Sequence, residues 1–368
     1  MPRLLLLPPI LAAVIAHGGE PPARALTPLP IRVGAALTHV SAAREIPDGR
    51  LLITNAKAPS VLLLDLAKGS VMPVGAAGGG PDRYATPGGL YAGPDGATLL
   101  LDRGQTQVFT ISARGELQGS RSIARQGVTT SSSADIDRQR LDAKGFAYFV
   151  DFHRPGATLG SPESTLVRFD ATTQKAEVVA KLRRAEMRTT QGGDGLTLGR
   201  RIIGSPEDGW GVAPDGRVAI VRADPYRVEW ISPGRAAVRG PVVEYTPVPI
   251  TEADKQRHAA LTGGSVSIGQ TGGTGGEMPA LPTLFAATKP PFEPDDILVS
   301  PDSHVWVMRT QPFEAATTIY DVFDSQGRRV DRIQLPGGSR IVGFGRNAIY
   351  ARSNSADGRC ELRKYGVN

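Results

Sequence analysis

The sequence predicts an all-β chain, a six-bladed β-propeller with blades of four antiparallel strands. Three observations carry this reading: one turn-and-strand unit recurs along the chain, its strands are short and apolar, and the two chain ends supply complementary parts of one unit. The recurring turns are Ile46-Pro47-Asp48-Gly49, Gly93-Pro94-Asp95-Gly96, Asp142-Ala143-Lys144-Gly145, Ala213-Pro214-Asp215-Gly216, Ser300-Pro301-Asp302-Ser303 and Gly345-Arg346-Asn347. Pro presets φ, Asp bonds its neighbouring backbone and Gly accepts positive φ, which is turn chemistry.

Each turn leads into a short run of β-branched, leucine or aromatic residues. Examples are Leu51-Leu52-Ile53-Thr54, Ala147-Tyr148-Phe149-Val150 and Val305-Trp306-Val307-Met308. A second such run follows in every unit, from Val61-Leu62-Leu63-Leu64 in the first to Leu362-Arg363-Lys364-Tyr365 in the last. That length and composition favour buried strands over helices. The turns recur at intervals of 47, 49 and 43 residues, with two longer intervals of 71 and 87. A base period in the forties suits one four-stranded blade, and the longer intervals hold insertions. The last unit runs out at Asn368 after three strands. Residues 29–37, with Ile31-Arg32-Val33 at their centre, are expected to supply the missing outer strand and close the ring.

The largest insertion spans about residues 246–294. Thr251 followed by Glu252 and Asp254, with Arg257 and His258 later, suits a short helix with a Thr N-cap. Residues 263–276 are rich in Gly, Ser and Thr and read as a flexible tract, either a lid or a disordered segment. They lack the Lys-Ser/Thr ending of a phosphate loop, so nucleotide binding is not expected there.

The N-terminus reads as an export leader. Arg3 precedes an apolar run over residues 4–16, and Ala23-Arg24-Ala25 follows as a small-residue cleavage pattern. Residues 1–25 are therefore expected as a signal peptide, with a cut after Ala16 as the alternative. The mature chain, 26–368, is expected as one domain with no membrane span, since the apolar run is too short and Pro8-Pro9 interrupts it. With 40% hydrophobic and 21% charged residues the composition is that of a globular protein. Cys360 is the only cysteine and forms no internal disulfide. The net charge of +6 is spread along the chain, which disfavours a nucleic-acid groove.

At the level of these repeats the chain resembles bacterial six-bladed β-propellers of the NHL-type and TolB-like kinds, in an exported subgroup. The likeness is closest in Val212-Ala213-Pro214-Asp215-Gly216-Arg217 and Asp224-Pro225-Tyr226-Arg227-Val228-Glu229-Trp230. It recurs in Thr288-Lys289-Pro290-Pro291-Phe292 and in Tyr320-Asp321-Val322-Phe323-Asp324-Ser325-Gln326-Gly327-Arg328. The resemblance implies the fold of the mature chain and a periplasmic or secreted location. It implies little about activity, because propellers host hydrolases, lyases, sensors and docking platforms alike.

In such a fold all the Pro-Asp-Gly turns share one plain face, and the insertions fall on the opposite face. That loop face is where a site is expected. The residue closing the second strand there is polar in each unit: Asn55, Asp102, Asp151, Arg222, Arg309 and Arg352. These side chains read either as salt bridges tying neighbouring blades or, at Arg222, Arg309 and Arg352, as an anion-binding wall. His153 follows Asp151-Phe152 and is either part of that wall or a solvated loop histidine. Asn55, Asp102 and Asp151 carry the oxygen chemistry of a calcium site, although rim residues of neighbouring blades can also point apart. No histidine pair has metal-ligand spacing and no G-x-S-x-G elbow occurs. The expectation is therefore a monomeric exported propeller without a cofactor, binding a small anionic ligand or a protein partner and without catalysis. The alternative is a metal-dependent hydrolase or lyase of the lactonase or NHL kind, with calcium.

Overall fold

The computed structural model describes residues 20–34, 36–80, 82–125, 139–151, 161–191, 197–262, 268–271, 283–354 and 359–367. Short antiparallel strands dominate them, and one helix of eleven residues is present, Glu252–Thr262. Four-strand meanders repeat along the chain over residues 87–122, 140–183 and 209–239, each with its strands in sequence order. The strands of 292–336 form the same meander, with Arg24–Ala25 added in parallel to Arg329–Pro336. The strands of 42–73 and 340–366 share one sheet, because Ala42–Glu45 pairs in parallel with Arg340–Gly345.

The turns sit where the sequence places them, and one backbone requirement explains their composition. The residue ending each turn has positive φ: 88° at Gly49, 79° at Gly145 and 87° at Gly216. In the last two turns that place is taken by Ser303 at 63° and Asn347 at 52°. Asn tolerates this region better than a β-branched residue does, so the turn survives the loss of its glycine.

Between consecutive sheets lie the apolar side chains of the facing strands. Leu52 and Leu63 pack with Leu100 and Phe109, and Leu101 and Val108 with Phe149 and Phe169. Tyr148 and Leu166 meet Trp210 and Ile220, while Tyr226 and Trp230 meet Phe292 and Phe323. Tyr320 and Ile333 pack on Ile349 and Tyr365, and Tyr350 and Val342 pack on Leu51 and Ile53. The last contact joins the end of the chain to its beginning. Gly343 permits this join, since a Cβ there would lie 1.7 Å from the Ala43 carbonyl oxygen.

The outer strand against Cys360–Gly366 differs from the expected one. Pro28–Leu29 pairs with Tyr365 and Lys364, and Leu37 makes a further bridge to Cys360. Ile31 and Val33 instead pack into the core beside Tyr350. Proline has no N–H to give a ladder, and an outermost strand is where it is tolerated.

Residues upstream of these are also built in. Leu26 is buried with Trp306 and Tyr320, and Arg24 pairs with Asp331 at 2.7 Å. Glu20 accepts from Arg332 at 2.5 Å and from the Thr246 amide at 3.2 Å.

The 246–294 segment has described structure at its two ends. The helix forms with a reciprocal cap: the Thr251 hydroxyl donates to the Asp254 carboxylate and accepts from the Asp254 amide. Val248–Pro249 pairs with Thr288–Lys289, and Lys289 pairs with Asp254 at 2.6 Å. Ile268–Thr271 and Leu284–Phe285 both pair with Thr197–Ile203. Most of the glycine-rich tract lies outside the described residues.

Candidate active site on the loop face

The strand Phe292–Val299 departs from its ladder in a way that leaves a cluster of carboxylates outside the pairing. Phe292 is opposite Arg309 and Ile297 opposite Val307, so Glu293, Pro294, Asp295 and Asp296 bulge out between them. Pro294 cannot donate to a ladder, which is the local reason the pairing breaks there. The bulge packs tightly on the preceding sheet: a Cβ at Gly209 would lie 3.0 Å from the Pro294 carbonyl oxygen.

Asp296 is 8% exposed, and its carboxylate accepts a hydrogen bond from the Arg340 guanidinium. Burial pushes the Asp296 carboxyl up to about 7 against the pull of Arg340, with Glu293 and Asp295 adding to the rise. The Glu293 carboxyl, though it reaches solvent, is also raised by crowding of the protein around it, with Glu207 and Asp295 pushing the same way and Arg201 and Lys289 drawing it back. Asp296 is thus a buried acid beside a cation, able to exist in both protonation states near neutral pH.

A cationic side faces this acid. Arg340 opens the strand Arg340–Gly345 and stands directly opposite Arg352 in the ladder. Burial first, then the Arg340 charge, holds the Arg352 guanidinium below its ordinary value. Like charges directly across a ladder are unfavourable, so this placement is not explained by sheet stability. Among the described residues no carboxylate pairs with Arg352. Half-buried His39 lies near it, its imidazole pushed down by burial, Arg352 and Lys57, which favours the neutral ring.

The other rim residues are spent on holding strands together. Arg222 donates to Glu229 at 3.0 Å, to Asp208 at 2.7 Å and to the Lys181 carbonyl. Arg309 donates to Asp321 at 2.8 Å and to the Pro291 carbonyl, and its guanidinium stacks on Tyr226 and Tyr245. The three arginines expected as one wall therefore resolve into two structural ties and one open fork, Arg352. His153 lies outside the described residues.

The oxygens expected to hold calcium are likewise engaged. Asp102 is fully buried and accepts from the amides of Ala85, Thr86 and Gly104 and from Gln105. The Asn55 side-chain oxygen accepts from the amides of Lys57 and Ala58, and its NH2 donates to Thr38. Asp151 faces Arg125 at 3.5 Å. Asn55 and Asp102 serve their own loops and Asp151 faces a cation already, so the three do not fit a shared metal ion. Among the described residues no group of three or more His, Cys, Asp or Glu side chains is placed to hold a metal ion.

Sequence reading missed Asp296, Arg340 and His39. The visible signal was Glu293-Pro294-Asp295-Asp296, a proline and three acids inside a strand-like run. It was hidden by being assigned to the insertion.

The architecture is that of a β-propeller, and comparison with solved structures places it there. No known protein family matches the chain, and no curated protein matches it either. A Bacteroides fragilis protein designated as exported superposes with a TM-score of 0.50 at 10% identity, over 92% of this chain and 94% of the other. Regucalcin, a calcium-binding protein of Agrobacterium tumefaciens, gives 0.42 at 11% identity over 94% and 97%. Virginiamycin B lyase of Staphylococcus aureus gives 0.40 at 12% identity over 91% and 98%. At such identities the likeness is one of fold.

The neighbours named for an activity are mostly enzymes: gluconolactonases, virginiamycin B lyase and a luciferin-regenerating enzyme. The expectation of a propeller that only binds a ligand or partner is corrected accordingly. The arginine rim on which that expectation leaned is largely consumed by Asp208, Glu229 and Asp321.

Proposed function

We propose that this chain is an exported six-bladed propeller enzyme, a hydrolase or lyase acting on an anionic substrate at the loop face. Asp296 is its acid–base group, and Arg340 and Arg352 hold the substrate anion. The observation that carries the proposal is a buried carboxyl, raised to about 7, beside Arg340 and within one ladder step of the open Arg352 fork.

In either reaction class the proton bookkeeping is the same. Ionised Asp296 takes a proton from an attacking water, or from the carbon next to the substrate carboxylate. It then returns that proton to the departing oxygen. A raised carboxyl is suited to both halves of this cycle at neutral pH, and the neighbouring guanidinium steadies its charged form. Arg340 and Arg352 offer planar donor forks that match a carboxylate or phosphate. Asn55 and Asp102 take no part, since their oxygens are bonded to nearby backbone amides, and Asp151 faces Arg125.

Six blades of four strands are supported by the repeating meanders and by apolar cores between each sheet and the next. Pro28–Leu29 supplies a fourth strand to 340–366. The NHL-like or TolB-like character rests on the repeats quoted above. Export to the periplasm or beyond rests on the N-terminal leader pattern, and a single subunit is the working form.

The test is turnover of lactones, carboxylate-bearing esters and eliminable anionic substrates by the purified protein. Asp296→Asn is expected to lower kcat by about 10²–10⁴-fold. Arg352→Ala is expected to raise KM with a smaller effect on kcat, and the wild-type rate should show an inflection near pH 7. Absence of turnover on all three classes, or turnover undiminished in Asp296→Asn, overturns the proposal.

A further inference from the structure

The turn face, which the sequence marks as plain, carries a cleft of about 480 Å³ between the 292–336 and 340–366 sheets. That volume lies in the range of small-molecule sites. Its apolar wall is made by Trp306, Phe344, Val322 and Ala348. The Trp306 and Phe344 rings are 5.8 Å apart and tilted at 56°, an aromatic corner able to receive a flat ring.

Two features of this cleft have no structural use. Trp306 is 6% exposed, yet its indole N–H is buried without an acceptor. A buried donor left unpaired is unfavourable, and most such groups in folded proteins find a partner. The more deeply buried indole of Trp230 does find one, donating to the Asp324 carbonyl at 3.0 Å.

The second feature is the charge on the rim. Both acids there are engaged: Asp331 pairs with Arg24 at 2.7 Å, and Asp302 accepts from Ser300 and contacts His304 at 2.9 Å. The Arg346 guanidinium, on the turn that ends in Asn347, has no ion pair among the described residues. It stands exposed at the edge of the same cleft.

We infer that this cleft is a second binding site, one for a small aromatic carboxylate. The ring lies against Trp306 and Phe344, and the carboxylate meets Arg346. An aliphatic anion would leave the aromatic corner unused, and a neutral ring would leave Arg346 unpaired. The site lies on the face opposite Asp296 and is independent of catalysis there.

The experiment is a titration of the full protein, labelled with 15N at its three tryptophans, with sodium benzoate and with benzyl alcohol. Trp306→Phe assigns the Trp306 indole resonance by its disappearance. Benzoate is expected to shift that resonance saturably and to leave those of Trp210 and Trp230 in place. Arg346→Gln, an exposed change whose fold is checked by the unmoved Trp210 and Trp230 signals, is expected to weaken benzoate by about tenfold. Benzyl alcohol is expected to bind wild type and Arg346→Gln alike. A Trp306 resonance that does not saturate with benzoate, or benzoate affinity unchanged in Arg346→Gln, overturns the inference.

Discussion

Two buried aspartates on the loop face show how the same side chain is turned to opposite ends. Asp102 is met by three backbone N–H groups and the Gln105 amide, and it serves as a loop anchor. Asp296 has a guanidinium partner but lies in a bulge among further acids, and it keeps its proton up to about pH 7. That difference is measurable as stability. The folded state of Asp296 binds its proton more tightly than the unfolded chain does, so stability is present at low pH and lost as pH rises from about 4 to about 7. Wild type is therefore expected to lose roughly 2–4 kcal/mol across this window relative to Asp296→Asn. Denaturant melts of both proteins at about pH 5 and pH 8 check it, since Asn has no proton to lose. Counting along the sequence located Asp102 because it falls at a fixed distance from a turn. It did not locate Asp296, whose position depends on a register shift that Pro294 creates in three dimensions.

Elements are joined on the outer side by a different device. Asp321, fully buried on the strand Thr317–Phe323, accepts from Tyr226 and Arg309 and lies 3.1 Å from the Arg332 guanidinium. Arg329 is 3.6 Å away, and Glu20 supplies a second negative charge to Arg309 and Arg332. One carboxylate thus ties the 209–239 sheet to the 292–336 sheet. Removing one partner of a buried ion pair leaves the others uncompensated, at a cost of about 3–5 kcal/mol. Asp321→Ala is expected to lose about that much in a chemical-denaturation melt, whereas Asp302→Ala, on an exposed turn, should change little. The strands and turns of this region were legible in sequence because Pro-Asp-Gly and β-branched runs are local signals. The arginine ties were not, because Arg309 and Asp321 look like surface residues until two sheets close over them.

At the scale of the whole molecule the first described residues are tied into the body of the fold. Glu20, Arg24 and Leu26 all hold onto the 292–336 sheet, and burial of Glu20 is more than offset by Arg309 and Arg332, which keep its carboxyl ionised. Cleavage after Ala25 would discard two of these contacts, and cleavage after Ala16 would keep all of them. On the export proposed above, the mature chain is therefore expected to begin upstream of Glu20. N-terminal sequencing of the secreted form reads this directly, and a chain beginning at Leu26 should melt at lower temperature than one beginning at His17. The pairing of Pro28–Leu29 with Tyr365 and Lys364 has a further consequence, one of timing. On the export proposed above, a chain that passes through a translocation pore with its amino end leading must hold Pro28–Leu29 unpartnered until Tyr365 and Lys364 emerge. The join between Pro28–Leu29 and Cys360–Gly366 then forms late, after the strands between them have been released.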